Sequence, residues 1–107
     1  MRSVRGDVHE LKAPRATRGS EQAGHRYAVV LQNDLLPLST VLVAPTSTRA
    51  QIASFRPEVV IRGMTTLVLV EQTVAVDPSR LGDVVGHLTH DELVDVSAAL
   101  TTVLALR

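Results

Sequence analysis

Apolar residues along this chain fall into short aliphatic runs separated by turn-forming residues, and the two clearest runs lie near the middle. Tyr27–Gln32 (YAVVLQ) and Thr40–Ala44 (TVLVA) are β-branched and nearly continuous in hydrophobicity, which is how strands buried on both faces read. Asn33-Asp34 and Pro37 separate them. A weaker strand is expected over Gly6–Leu11, where Val8 and Leu11 stand among polar neighbours. Phe55–Ile61 and Thr65–Gln72 flank Arg62-Gly63, the signature of a β-hairpin. Pro78-Ser79-Arg80 predicts a short helical turn, and Val84–Leu88 a last short strand. Residues 12–26 are polar and carry Pro14, Gly19 and Gly24, so they read as a loop. Loops of that length in small domains are often functional.

The C-terminal segment changes period. Thr89-His90-Asp91-Glu92 has the form of a capping box, in which the Thr89 hydroxyl accepts the Glu92 N–H and the Glu92 side chain reaches back. Leu93, Val96, Leu100, Val103 and Leu104 then recur at helical spacing, predicting an amphipathic helix over roughly residues 90–106. Five or six strands followed by one helix give an α+β fold, mostly β and antiparallel, rather than an alternating βαβ unit.

A length of 107 residues suits one domain spanning 1–107. Apolar residues make up 45% of the chain, yet Tyr27 and Phe55 are its aromatics. That favours an aliphatic core and argues against RNA platforms that stack bases on aromatic rings. Without cysteine, the chain has no disulfide, thiolate nucleophile or cysteine-based zinc site. The charged start, Met1 to Lys12, lacks the apolar stretch of a secretory signal, and no run approaches a membrane span. The expected setting is the cytoplasm, with no membrane partner. Net charge is zero but unevenly spread. Arg2, Arg5, Lys12, Arg15, Arg18 and Arg26 crowd the first quarter, whereas Asp83, Asp91, Glu92 and Asp95 lie near the end. A basic N-terminal region suits a polyanion, and an ordinary solvated surface explains it equally well.

Candidate chemistry concentrates at Gly19-Ser20-Glu21-Gln22-Ala23-Gly24-His25-Arg26, just ahead of the first central strand, and at Pro45-Thr46-Ser47-Thr48, just after the second. If those strands are neighbours, a guanidinium and several hydroxyls converge at one end of the sheet. Such a set can cleave RNA without a metal, because the RNA supplies its own 2′-OH nucleophile. The protein then has to stabilise a phosphorane and move two protons. Arg26 suits the charge, since its fork matches phosphate oxygens and stays protonated. Ser47, Thr46 and Thr48 offer hydroxyl donors, and His25 or Glu21 could handle protons. Each has a plainer reading: Arg26 as a surface charge, Ser47 and Thr48 as turn formers after Pro45, Glu21 and Gln22 as loop residues. Histidine pairs at ligand spacing and clustered carboxylates are missing, so neither a metal site nor a cofactor is expected.

Read together, these segments resemble the MazF/PemK family of bacterial toxins. The resemblance rests on Arg5-Gly6-Asp7-Val8, Arg18-Gly19-Ser20-Glu21-Gln22-Ala23-Gly24-His25-Arg26, Gln32-Asn33-Asp34 and Val43-Ala44-Pro45-Thr46-Ser47. It continues through Glu71-Gln72-Thr73, Asp77-Pro78-Ser79-Arg80-Leu81-Gly82 and Val85-Gly86-His87-Leu88, and so covers nearly the whole chain in order. It implies a homodimer of small SH3-like barrels, each with a C-terminal helix. The implied activity is metal-independent cleavage of single-stranded RNA (mRNA, rRNA or tRNA) at short motifs. A cognate antitoxin protein would inhibit it, and the chain itself would not contact DNA. By position, Arg26 matches the family's catalytic arginine, and Ser47 falls where a catalytic threonine is usual. Substrate contact or proton transfer would fall among His25, Glu21, Gln22, Thr46, Thr48 and Gln72, and RNA-backbone contact to Arg15 and Arg18.

The chain departs from the family pattern at three places. Ser47 replaces threonine but keeps the hydroxyl, Tyr27 stands where proline is common, and Val74 stands where many relatives carry a phosphate-binding arginine. Two rival readings follow. One is a non-catalytic, protein-binding toxin of the gyrase-poison type, which needs no Arg26/Ser47 pair. The other is a degenerate relative that only binds RNA or antitoxin.

Overall fold

The structure is a computed structural model and describes residues 3–12 and 26–106. Its elements run β1 (Asp7–Leu11), β2 (Tyr27–Val30), β3 (Val41–Ser47), β4 (Glu58–Ile61), β5 (Met64–Val68), β6 (Val74–Val76), β7 (Leu81–His87) and α1 (His90–Leu104). Short 3-10 turns at Val70–Gln72 and Pro78–Arg80 precede β6 and β7. The strands form one sheet in the order β4-β5-β3-β2-β1-β7, with β6 pairing β3 off that path. All these pairings are antiparallel.

Strand β3 organises the sheet. One edge pairs β2 through Ala28↔Pro45, Val29↔Ala44 and Val30↔Val43. Along its other edge, Thr46 and Ser47 pair β5 while Val41–Val43 pair β6. The Val70–Gln72 turn is inserted between those two stretches, with the Leu69 N–H bonded to the Pro45 carbonyl at 2.8 Å. The expected strand over Thr65–Gln72 therefore ends at Val68, and β6 follows as a three-residue strand not foreseen from the sequence. The β4–β5 hairpin forms as expected. Arg62 (φ 53°) and Gly63 (φ 78°) both take positive φ, as a tight hairpin turn of matching twist requires. The hairpin bends back over the sheet: Arg62 lies 3.9 Å from Glu10 of β1 and the Val60 N–H meets Glu92 of α1. The sheet thereby curls into a half-barrel.

Alternation along the strands separates two apolar faces. Val8, Val29, Leu31 and Ala44 face the larger core with Val59, Ile61, Val68 and Val70, where Val96 and Ala99 of α1 pack. Ala28, Val30, Val43 and Val76 form a smaller cluster on the opposite face, with Leu11, Val41 and Leu81 against it. The Thr89 capping box forms as the sequence requires. Helix α1 stops at Leu104 because Ala105 turns left-handed (φ 57°), and Leu104 is exposed rather than part of the buried stripe. None of the helices among the described residues is long and apolar enough to cross a membrane.

Candidate functional site

Arg26 immediately precedes β2 and Ser47 ends β3. Continuing the Ala28↔Pro45 register by two residues sets Arg26 directly across from Ser47. Residues opposite each other in an antiparallel pair share a face, so both belong to the face of Ala28, Val30 and Val43, away from α1. On the far side, the Arg26 carbonyl accepts the Leu11 N–H at 2.8 Å, which ties this strand start to β1. The Arg26 side chain is exposed and meets no hydrogen-bond or ion-pair partner among the described residues. The expected convergence of a guanidinium and a hydroxyl at one sheet end is therefore present in the backbone register.

Ser47 takes up its plainer reading as a turn former. Its Oγ accepts the Arg49 N–H at 3.1 Å and the Ala50 N–H at 3.0 Å, so it does form a turn. With both lone pairs occupied, the hydroxyl proton is the part left to give to another acceptor. Thr46 is displaced from this pair: it is buried on the opposite face, and its hydroxyl donates to the Tyr27 carbonyl at 3.4 Å. Thr48 is exposed just beyond β3, and Gln72 is exposed in the 3-10 turn. Arg15, Arg18, Glu21, Gln22 and His25 lie outside the described residues. Val74 is half-exposed on β6, opposite Val43 and four positions along β3 from Ser47.

Sequence reasoning missed the support behind this end of the sheet. The segment after Ser47 is fastened by Arg56, whose Nη1 donates to the Gln51 carbonyl at 2.8 Å. Its Nε and Nη2 both donate to Glu71 Oε2, at 3.0 and 2.7 Å. That bonding holds the Glu71 carboxyl below its usual range. Arg56 also stacks over the Phe55 ring. Fifteen residues separate the partners, so no local spacing announces the pair. A cleft of about 410 Å³ lies at the other end of β2 and β3, bordered by Ser3, Gln32, Leu36, Leu38 and Pro78, away from Arg26. Among the described residues, no cluster of three or more His, Asp or Glu could hold a metal ion.

Residues 4–104 match the family model of the PemK-like, MazF-like toxins of type II toxin–antitoxin systems, and the chain belongs to that family. A Mycobacterium tuberculosis protein named as a candidate toxin is 41% identical over 104 residues, 96% of this chain and 98% of that one. Solved structures share the fold. A mycobacterial endoribonuclease determined with its cognate antitoxin superposes with a TM-score of 0.79 at 18% identity, over 98% of this chain and 97% of that one. MazF from Deinococcus radiodurans gives 0.78 at 23% identity, over 98% of each chain.

Proposed function

We propose that this toxin is a metal-independent endoribonuclease that cleaves single-stranded RNA, with Arg26 and Ser47 at its catalytic centre. The observation that carries the reading is the β2–β3 register, which sets Arg26, its guanidinium without a partner among the described residues, opposite a hydroxyl whose own acceptor sites are filled. In the reaction the RNA 2′-oxygen bonds to the adjacent phosphorus as the bond to the 5′-oxygen breaks. The 2′-OH proton passes to a base, and a second proton reaches the departing 5′-oxygen. Arg26 stabilises the negative charge on the phosphorane oxygens, and Ser47 donates its proton to one of them. Ser47 does not serve as the base, because its lone pairs already hold two N–H groups. Proton transfer falls to His25 or Glu21, and RNA-backbone contact to Arg15 and Arg18. The chain works as a cytoplasmic homodimer held in check by a cognate antitoxin, the kind of complex seen for its mycobacterial structural neighbour.

The test is cleavage of single-stranded RNA by purified protein in excess EDTA. A 2′,3′-cyclic phosphate (or its 3′-phosphate product) and a 5′-OH are expected, with no cut at a 2′-deoxy linkage. Cleavage that requires Mg²⁺ or leaves 5′-phosphates overturns the mechanism. Growth arrest with intact RNA would instead support the protein-binding reading.

A further inference from the structure

The described residues include six arginines, and their partners divide them sharply. Arg5 donates to the Leu31 carbonyl and to Ser97, Arg56 grips Glu71 and Gln51, Arg62 faces Glu10, and Arg80 Nε donates to the Lys12 carbonyl. The side chains of the remaining two, Arg26 and Arg49, have no hydrogen-bond or ion-pair partner among the described residues. Both stand at the Ser47 end of the sheet: Arg26 across the register from Ser47, Arg49 on the turn that Ser47 itself closes.

The placement of Arg49 is built into the fold. Its backbone N–H is bonded to Ser47 Oγ at 3.1 Å. Two residues further on, the Gln51 carbonyl is held by Arg56, which is itself anchored on Glu71. The turn carrying Arg49 is thus fixed on both sides, while its side chain is exposed. A long cation held at the base and free at the tip keeps its charge available for an anionic ligand.

We propose that Arg49 is a second phosphate-binding guanidinium, gripping an RNA phosphate next to the one at Arg26 and Ser47. This rests on the RNA-cleaving reading above. Arg49 binds substrate before and during the reaction alike, so it contributes affinity rather than rate at saturation.

The experiment measures binding of a non-cleavable single-stranded RNA, with 2′-deoxy sugars throughout its cut sites, across a salt series, together with cleavage kinetics on the all-ribose RNA. Arg49→Ala should weaken binding several-fold and reduce the slope of log K against log salt by about 0.7, the value for one phosphate contact on a single strand. It should raise KM and leave kcat unchanged. Arg49→Lys should retain most of the slope, and Arg62→Gln, at the hairpin turn, should leave both slope and KM alone. Normal slope and KM in Arg49→Ala, with RNA cleavage intact in wild type, would overturn the assignment but spare the proposed activity. So would an equal loss in Arg62→Gln, which would reduce the effect to net charge. A wild-type chain that neither bound nor cut RNA would remove both.

Discussion

Glu92 and Val60 connect the start of the helix to the outermost strand. One Glu92 oxygen accepts the Thr89 N–H at 2.8 Å as the returning half of the capping box, and the other accepts the Val60 N–H at 2.9 Å. Strand β4 is the end of the sheet order, so its outward N–H groups have no ladder partner. A single carboxylate therefore caps α1 and satisfies a sheet edge, pinning the β4–β5 hairpin over the larger core.

This double use predicts the effect of removing it. Glu92→Ala should cost about 1–2 kcal/mol, one modest hydrogen bond at each end. Glu92→Gln should cost less, because its amide oxygen keeps one of the two bonds and its NH₂ cannot accept the other. Thr89→Ala, which loses only the forward half of the cap, should cost about 1 kcal/mol. Urea unfolding measures all three. Equal stabilities for Glu92→Gln and wild type would show that accepting both N–H groups at once contributes nothing.

Two glycines at positive φ should respond unequally to alanine. Gly6 has φ 96°, and an added Cβ would lie 3.2 Å from the His87 ring and from Leu93. Its backbone also links β2 and the end of β7, through bonds to Val30 and Leu88. Gly63, with φ 78° on the hairpin turn, has open space where the Cβ would go. Gly63→Ala should therefore show backbone strain alone, roughly 1 kcal/mol, and Gly6→Ala roughly 2–3 kcal/mol. Thermal denaturation would order the two, and the reverse order would contradict the packing around Gly6.

Acid should weaken the clamp behind the site. Glu71 is held below its ordinary pKa of 4.5, first by the Arg56 hydrogen bonds. For Asp7, burial alone would raise the pKa, but the bonds from the Val4 N–H and His87 outweigh it and the net shift is downward. A carboxyl with a depressed folded-state pKa contributes stability that is present above its unfolded value and lost as pH falls through the folded one. Stability should thus be flat above about pH 5 and decline below it. Glu71→Gln should be less stable than wild type at pH 7, and the gap should close as pH falls through the lowered folded-state pKa of Glu71. A constant gap between the two across the series would show that the charge of Glu71 does not hold Arg56.

Most of the fold was legible because its signals are local. The β-branched runs at Tyr27–Gln32 and Thr40–Ala44, the Arg62-Gly63 turn and the Thr89–Glu92 cap are each decided by a few adjacent residues. The turn and the cap stand where the pattern put them, whereas β2 already ends at Val30 and β3 runs on past Ala44 to Ser47. Strand β6 was not legible: Val74–Val76 is too short to show a period and is a strand only because the edge of β3 is free at Val41–Val43. The same division applies to the site. Arg26 and Ser47 could be named from their places at strand ends, but their opposition depends on a register that joins distant segments. The Arg56–Glu71 clamp, and the contrast between engaged and unengaged arginines, exist only after folding.

Substitutions at Arg26 and Ser47 separate an enzyme from a binding toxin. In the proposed role Arg26 donates to the phosphorane oxygens, and losing one such donor typically costs about 10²–10³ in rate. Arg26→Ala should therefore arrest growth no longer, while remaining folded and able to bind an antitoxin that binds wild type. Arg26→Lys should fall between, keeping the charge without the two-pronged geometry. Ser47→Ala should lose rate and also loosen the turn, since the Arg49 and Ala50 N–H groups lose their acceptor. Ser47→Thr supplies the same oxygen and proton, so it should keep or raise activity. Single-turnover cleavage of a defined RNA gives the rates, and the unfolding midpoint shows how much of the Ser47→Ala effect is structural. Full toxicity of Arg26→Ala would sink the catalytic assignment, because killing without that guanidinium has to proceed through a protein contact instead.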